Sequence, residues 1–327
     1  MSVNLSATRK DLLHDPDSLY LGQPLNNLQL RVGWVRDRNR DFATSAADAE
    51  AYAKALEAYN NDPKKHQRPE LPDAQIFSMV VKLSGTNFRM QANARWDKND
   101  RFTKKLKDLK LSALADPPEP AVFKSSGDFE HFMSNMLKLV ESKRTPGWTA
   151  VNGIFDKELT GENLNVDANL RVKFKHHPWE PKPKSDPTND NGEVPEEDAI
   201  PFEFTLEGWP RDNDDITKEL EEMKNTHRAN PIPAFDTDGQ LIRPCDYEAQ
   251  LREALVVVRF TLSHWSIGKP KDQPAKPETD SYSADVVNIS VLIPPPPRAA
   301  GSPPRTKLKR FSLTNPVESP TKKSRRT

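Results

Sequence analysis

The chain has 327 residues, with 48 lysines and arginines balancing 48 aspartates and glutamates, and one cysteine, Cys245. A lone cysteine excludes an intramolecular disulfide and suits a reducing compartment. No stretch approaches the roughly 18 apolar residues of a membrane span, and the first residues lack the apolar centre of a secretory signal, so a soluble intracellular protein with no membrane attachment is expected. Thirty prolines against twelve glycines imply many extended segments with pre-set backbone angles.

In chain order, residues 28–35 (LQLRVGWV) place Leu28, Leu30, Val32 and Trp34 on one face and predict a strand. Residues 45–59 predict an alanine-rich helix with Tyr52, Leu56 and Tyr59 on one stripe and Ser45 as its cap. The run 75–83 (QIFSMVVKL) reads as a buried strand, and 87–96 (NFRMQANARW) as its partner across the turn Ser84-Gly85-Thr86. Residues 128–140 repeat Phe129, Phe132, Met133, Met136, Leu137 and Val140 at helical spacing. Strict alternation follows over 164–174, and a shorter one over 200–206. A helix over 215–227 carries Ile216, Leu220 and Met223 on one face, with Asp212, Asp214 and Asp215 at its positive end. The two longest strand-like runs are 255–267 and 282–293. Polar insertions occupy 178–201 and 268–280.

These elements give an α+β fold dominated by an antiparallel sheet of six or seven strands with three helices. Long polar connections favour closure, because closure removes exposed strand edges, and an OB-like, partly closed barrel is the expectation. The alternative is two β-rich subdomains split near Pro117 to Pro120.

The last thirty residues differ sharply from the rest. Nine cations, Arg298, Arg305, Lys307, Lys309, Arg310, Lys322, Lys323, Arg325 and Arg326, stand against Glu318 alone. With few apolar residues and many like charges, residues 298–327 are expected to be a disordered tail. The clusters 305–310 and 322–326 resemble a bipartite nuclear localisation signal held by an import receptor, which implies a nuclear protein. Ser302, Ser312 and Ser319 sit in kinase-like contexts, where phosphate would cancel neighbouring positive charge. Because the whole chain is neutral, residues 1–297 carry the opposite net charge, −8, so any nucleic-acid site there must be local.

One segment of that acidic body is basic. Residues 82–110 hold nine cations against three carboxylates, with Phe88, Trp96 and Phe102 interleaved. Cations track phosphates and exposed aromatics stack on unpaired bases, at roughly 1–3 kcal/mol per base. A second patch, Arg171, Lys173 and Lys175, alternates outward along a strand. Together these predict a groove for single-stranded DNA lined by Arg89, Arg95, Trp96, Lys98, Arg101, Lys104, Lys105, Arg171, Lys173 and Lys175. The bland alternative makes the aromatics core and the lysines solvated. Residues 186–222 gather fourteen carboxylates and two cations and read as a solvated or partner-facing acidic run.

No phosphate-binding glycine loop, G-x-G-x-x-G or G-x-S-x-G is present, and no cofactor or metal is expected. His176 and His177 are adjacent, so on a strand they face opposite ways and make a poor metal pair. His264, beside Trp265 in an apolar strand, reads as a buried structural histidine, and Cys245 as an inert thiol.

Within 235–297, Asp236-Thr237-Asp238-Gly239, Ile242-Arg243-Pro244, Tyr247, Phe260-Thr261-Leu262-Ser263-His264-Trp265, Asp280-Ser281-Tyr282 and Val291-Leu292-Ile293-Pro294-Pro295 form a pattern. It resembles a group of uncharacterised fungal proteins with an F-x-L-x-H-W … V-L-x-P-P ending, common in mushroom-forming species and with a suggested link to mobile elements. The resemblance implies no activity and no functional residue. The sequence therefore points to a nuclear, non-enzymatic protein that binds single-stranded DNA. The competing expectation is a nuclear scaffold whose acidic and proline-rich segments engage other proteins.

Overall fold

The structure, a computed structural model, describes residues 4–99, 103–119, 121–161, 164, 169–182, 200–268 and 278–297. The elements run α1 (Leu5–Leu13), β1 (Leu19–Tyr20), β2 (Val32–Asp37), β3 (Arg40–Ser45), α2 (Ala46–Asn61), β4 (Phe77–Leu83) and β5 (Leu111–Asp116). There follow α3 (Ala121–Ser125), α4 (Asp128–Glu141), β6 (Ala150–Asn152), β7 (Leu159–Thr160), β8 (Lys173–His176) and β9 (Trp179–Pro181). The chain continues through α5 (Asp214–Met223), β10 (His227–Ala229), β11 (Ala234–Phe235) and α6 (Tyr247–Leu251) into β12 (Leu255–Ile267) and β13 (Thr279–Ile293).

Local chemistry sets several boundaries. Ser45 Oγ accepts a hydrogen bond from Asp48 N at 3.0 Å and starts α2. Asn213 Oδ1 accepts from Ile216 N at 2.9 Å and starts α5. The β-branched runs of β12 and β13 favour the pleated, half-buried surface that they form.

Five strands close a ring. β4 pairs antiparallel with β12 and β5, β5 pairs antiparallel with β8, β8 runs parallel to β13, and β13 returns antiparallel to β12. Strands from both sides of Pro117 thus share one ring, and residues up to Pro295 belong to one compact unit. The β2–β3 hairpin joins the far half of β12, where Phe42 and Asp41 face Ser263 and His264. β6 lies parallel to the first residues of β13.

The core fills the ring. Phe260 lies 5.8 Å from Phe77 and 5.1 Å from Phe174, ring centre to ring centre. Phe132 of α4 packs onto Phe174 and Phe260 at 6.5 and 6.4 Å. Tyr282 Oη donates to the Val140 carbonyl at 2.9 Å, fixing the end of α4 against β13. Asp128, fully buried, accepts from Arg9 Nε at 2.8 Å and from Tyr20 Oη at 2.5 Å, tying α1 to α4.

The structure bears out the mixed α+β class and a mostly antiparallel sheet. Among the described residues there are six α-helices where three were expected, the extra ones short except α1. Residues 87–96 form no strand. Asn87, Ala94 and Arg95 have positive φ, and the chain folds on itself there, so β4 takes β5 as its partner instead. Only Val32 onward of the first predicted strand is extended, since residues 28–30 make a helical turn. Residues 202–204 likewise form a helical turn, not the short strand expected. Of the alternating run 164–174, residues 165–168 lie outside the described residues.

His264 is buried between two carboxylates. Its Nδ1 lies 3.0 Å from Asp41 Oδ2 and its Nε2 lies 2.9 Å from Asp280 Oδ1. Arg36 and Lys143 also meet Asp41, at 3.0 and 3.2 Å, and Thr145 N donates to Asp280 at 2.8 Å. The imidazole thereby pins β3, β12 and β13 together. His264→Ala should cost on the order of 3–5 kcal/mol in chemical denaturation, because it removes the partner shared by two buried carboxylates. A loss under about 1 kcal/mol would show that this triad is not a structural pin.

Candidate nucleic-acid interface

The alternation of β8 divides its side chains. Phe174 and His176 point into the core, while Lys173 and Lys175 lie half-buried on the outer face, followed by His177. Register extends that face across three neighbouring strands. Ser112 lies opposite Lys175, Lys175 opposite Asp285, and Asp285 opposite Thr261. The row beneath, Ala113, Phe174, Ala284 and Leu262, is core. Arg89, exposed, comes alongside because its backbone N–H donates to the Ser112 carbonyl at 2.8 Å. Lys110 enters from the start of β5.

Charges accumulate here with little compensation. Burial, reinforced by Lys110 and then Lys173, pushes the Lys175 ammonium down to about 8, and Asp285 opposes the shift. Burial first, then Lys110, also lowers the His177 imidazole below its ordinary value. Among the described residues no hydrogen bond or ion pair holds Lys175 Nζ. Asp285 is itself occupied in part, accepting from Ser283 Oγ at 2.6 Å. His176 is buried, with Nε2 at 2.7 Å from the Asn230 carbonyl, and burial lowers its pKa. The two histidines thus face different ways, and the described residues contain no cluster of metal-ligating side chains.

The basic segment 82–110 divides. Its first part, through Arg89, runs to the β5–β8 face. The stretch around Arg95 and Lys98 folds onto α5 and α6, whose carboxylates pair with those two cations. Lys98 pairs with Asp215 at 2.9 Å, and that hydrogen bond raises its pKa. Arg95 reaches Glu248 at 3.3 Å. Asn93 Nδ2 donates to Asp212 at 3.0 Å, and Glu219 accepts from Leu106 N at 3.1 Å. Asp215 and Glu219 of α5 thus answer this chain's own basic segment, while Glu221 pairs with Arg211 and Lys224.

Trp96 is the clearest departure from the expected groove. Its ring is 6% exposed and its Nε1 donates to the Thr103 carbonyl at 2.8 Å, so neither face is open to a base. Phe88 is equally buried. Arg171 turns inward, with Nε 3.1 Å from Asp156 and Nη1 3.4 Å from Asp116 and 3.0 Å from Thr86 Oγ1, which fits a cross-link between loops. Lys104 and Lys105 are exposed and carry no ion pair to another described residue. Arg101 and Phe102 lie outside the described residues, as do residues 298–327, which include Ser302, Ser312, Ser319 and both basic clusters.

Gly153 and Asp285 belong to the site without having been singled out for it, and Lys110 and His177, which close the two basic segments, join the lining predicted from sequence. The outward period of 173–177 hints at His177, but only long-range register brings Asp285 and Lys110 beside Lys175. Gly153 has φ +90°, and a Cβ there would lie 2.5 Å from the Tyr282 carbonyl and 3.4 Å from Lys175 Nζ. Glycine is therefore required where the chain passes under the amine.

No protein-family model, no curated protein and no solved structure matches this chain. The reading of the site rests on its own geometry.

The lysine cluster has a direct test. Nitrogen-detected NMR titration should find Lys175 Nζ titrating near 8, and Lys173→Ala should move it upward by removing a like charge. Between that value and the unfolded value of 10.5, the unfolded chain holds a proton that the folded chain lacks, so this group makes stability rise with pH in that window. A Lys175 that titrates with the unperturbed lysines would remove the electrostatic basis of the site.

Proposed function

We propose that the protein binds single-stranded DNA across the outer face of β5 and β8, and that it does so without catalysing a reaction. The observation that carries this reading is the gathering of Lys110, Lys173, Lys175 and His177 on one face of an otherwise acidic body, with Arg89 brought beside it by its backbone bond to Ser112 and Asp285 as the opposing charge. Cations that lack internal partners are free to exchange their counterions for phosphates. Cations already paired with α5 and α6 contribute less, which leaves Arg95 and Lys98 outside the proposed contact.

The ring supports the same reading by analogy of fold alone. OB-type barrels have five strands and bind oligonucleotides on the face of their second and third strands and on the loops that join strands 1 to 2 and 4 to 5. In this ring the second and third strands are β5 and β8. In sequence the first two strands are joined by the basic segment 84–110, and the last two by residues 268–278, which include Lys269, Lys271 and Lys276. With Trp96 and Phe88 in the core, affinity rests on phosphate contacts more than on stacking, so strong salt dependence follows. The tail's bipartite basic pattern supports recognition by a nuclear import receptor, a nuclear location and an accessory, unselective grip on nucleic acid.

The full-length chain carrying Lys110→Glu and Lys173→Glu should bind fluorescent oligothymidine at least about tenfold more weakly than wild type near 50 mM salt. Its log–log salt slope should shrink by about 1.4, at roughly 0.7 per phosphate contact on a single strand. Lys98→Glu, on the other side of the segment, should bind like wild type. Equal loss in both variants, or in neither, would reject the β5–β8 face as the binding surface.

A further inference from the structure

We propose that Lys175 is a nucleophilic amine that captures an aldehyde carried beside a phosphate, forming an imine, and that on a nucleic-acid strand this aldehyde is the ring-opened sugar of a nucleotide that has lost its base. The strand form of the proposal rests on the reading above; the amine chemistry does not.

The geometry distinguishes this lysine from an ordinary surface one. Its ammonium is half-buried, is flanked by Lys110 and Lys173, and has no hydrogen bond or ion pair to another described residue. Desolvation and like charges both favour the neutral amine, the arrangement used by lysines that form imines with carbonyl substrates. With a value of about 8, about a quarter of the amine is neutral at pH 7.5, against about one part in a thousand for an ordinary lysine. Gly153 keeps a side chain from pressing on Nζ.

The chemistry balances without any oxidant or metal. The nitrogen lone pair attacks the carbonyl carbon, a C–N bond forms, and the carbinolamine loses its oxygen as water. Both amine protons are given up: one passes to the carbonyl oxygen and the second leaves to solvent, while solvent delivers one to the departing oxygen through His177, on the same face. Amine plus aldehyde gives imine plus water, and the step reverses on hydrolysis, so it is capture and not turnover. Lys110 and Lys173 supply the positive charge that holds the adjacent phosphate. An intact strand offers an amine no comparable aldehyde, which selects the base-free position.

The test is reductive trapping with cyanoborohydride on the full-length protein at pH 7.5. The probes are a single strand with one abasic site, the same strand intact, and pyridoxal 5′-phosphate as a small phosphorylated aldehyde. Peptide mapping should place the adduct from both aldehydes on Lys175. Lys175→Arg, which keeps the charge, should cut trapping of both aldehydes at least about tenfold while its thermal unfolding midpoint stays at the wild-type value. Lys173→Arg should still be trapped on Lys175. Capture of the small aldehyde at Lys175 with no strand binding would leave the amine proposal standing and reject the nucleic-acid reading. Tight binding of the intact strand with adducts spread over many lysines, or unchanged in Lys175→Arg, would overturn the amine proposal and leave the strand reading intact.

Discussion

The long antiparallel ladder of β12 and β13 is the contact on which the rest of the molecule depends. Each strand is longer than the ring requires and serves several neighbours, β13 pairing also with β11 at Ile289 and Ser290. β12 pairs with β4 through its first half and with β3 beyond it. β13 pairs with β6 at its start and with β8 at Ala284 and Asp285. A register shift between Arg259 and Phe260 marks a bulge, which bends a strand and increases its twist. The inner side of this ladder carries Phe260, Leu262, Tyr282 and Ala284 to the core, and its outer side carries Thr261 and Asp285 to the proposed interface. A slip of one residue would exchange the two faces, burying Asp285 and exposing Phe260. Core and site are therefore specified by the same register.

That dependence explains what could be read from the sequence. The runs 255–267 and 282–293 announce themselves because β-branched and aromatic residues persist over a dozen positions, and β13 begins only three residues earlier, at Thr279. Helices α2, α4 and α5 show their caps or stripes locally, so their positions are legible to within a few residues. The period of β8 sorts Lys173 and Lys175 from Phe174 without any knowledge of neighbours. Partners are another matter. Residues 87–96 look like a hairpin strand because their apolar spacing is permissive, but three positive-φ residues and contacts with α5 and its approach decide against it. Trp96 illustrates the ambiguity: an aromatic among cations has the pattern of a stacking platform and also that of a core residue. Only the fold, which gives its Nε1 an internal acceptor, chooses between them. Lys110 and Asp285 are separated by most of the chain, and no local pattern links them.

Electrostatics follows from the same sorting. A basic segment and an acidic run adjoin in space, and much of their charge cancels through Lys98 with Asp215 and Arg95 with Glu248. Such exposed pairs contribute little stability individually. Their effect is subtractive: they remove part of the segment from the cations available to a polyanion and leave the β5–β8 face as the local excess. The buried His264 between Asp41 and Asp280 works differently, since there the charges are desolvated and hold three strands in register.

The central claim is that the outer face of β5 and β8 holds the strand. Lysine footprinting tests it most directly: acylation of the full-length protein with and without saturating oligothymidine, read residue by residue. The account expects Lys110, Lys173 and Lys175 to lose reactivity in the complex while Lys54, on α2, and Lys98 keep theirs. Protection confined to the lysines of residues 298–327, with Lys110, Lys173 and Lys175 unchanged, would contradict it and reduce any binding to the charge of the tail.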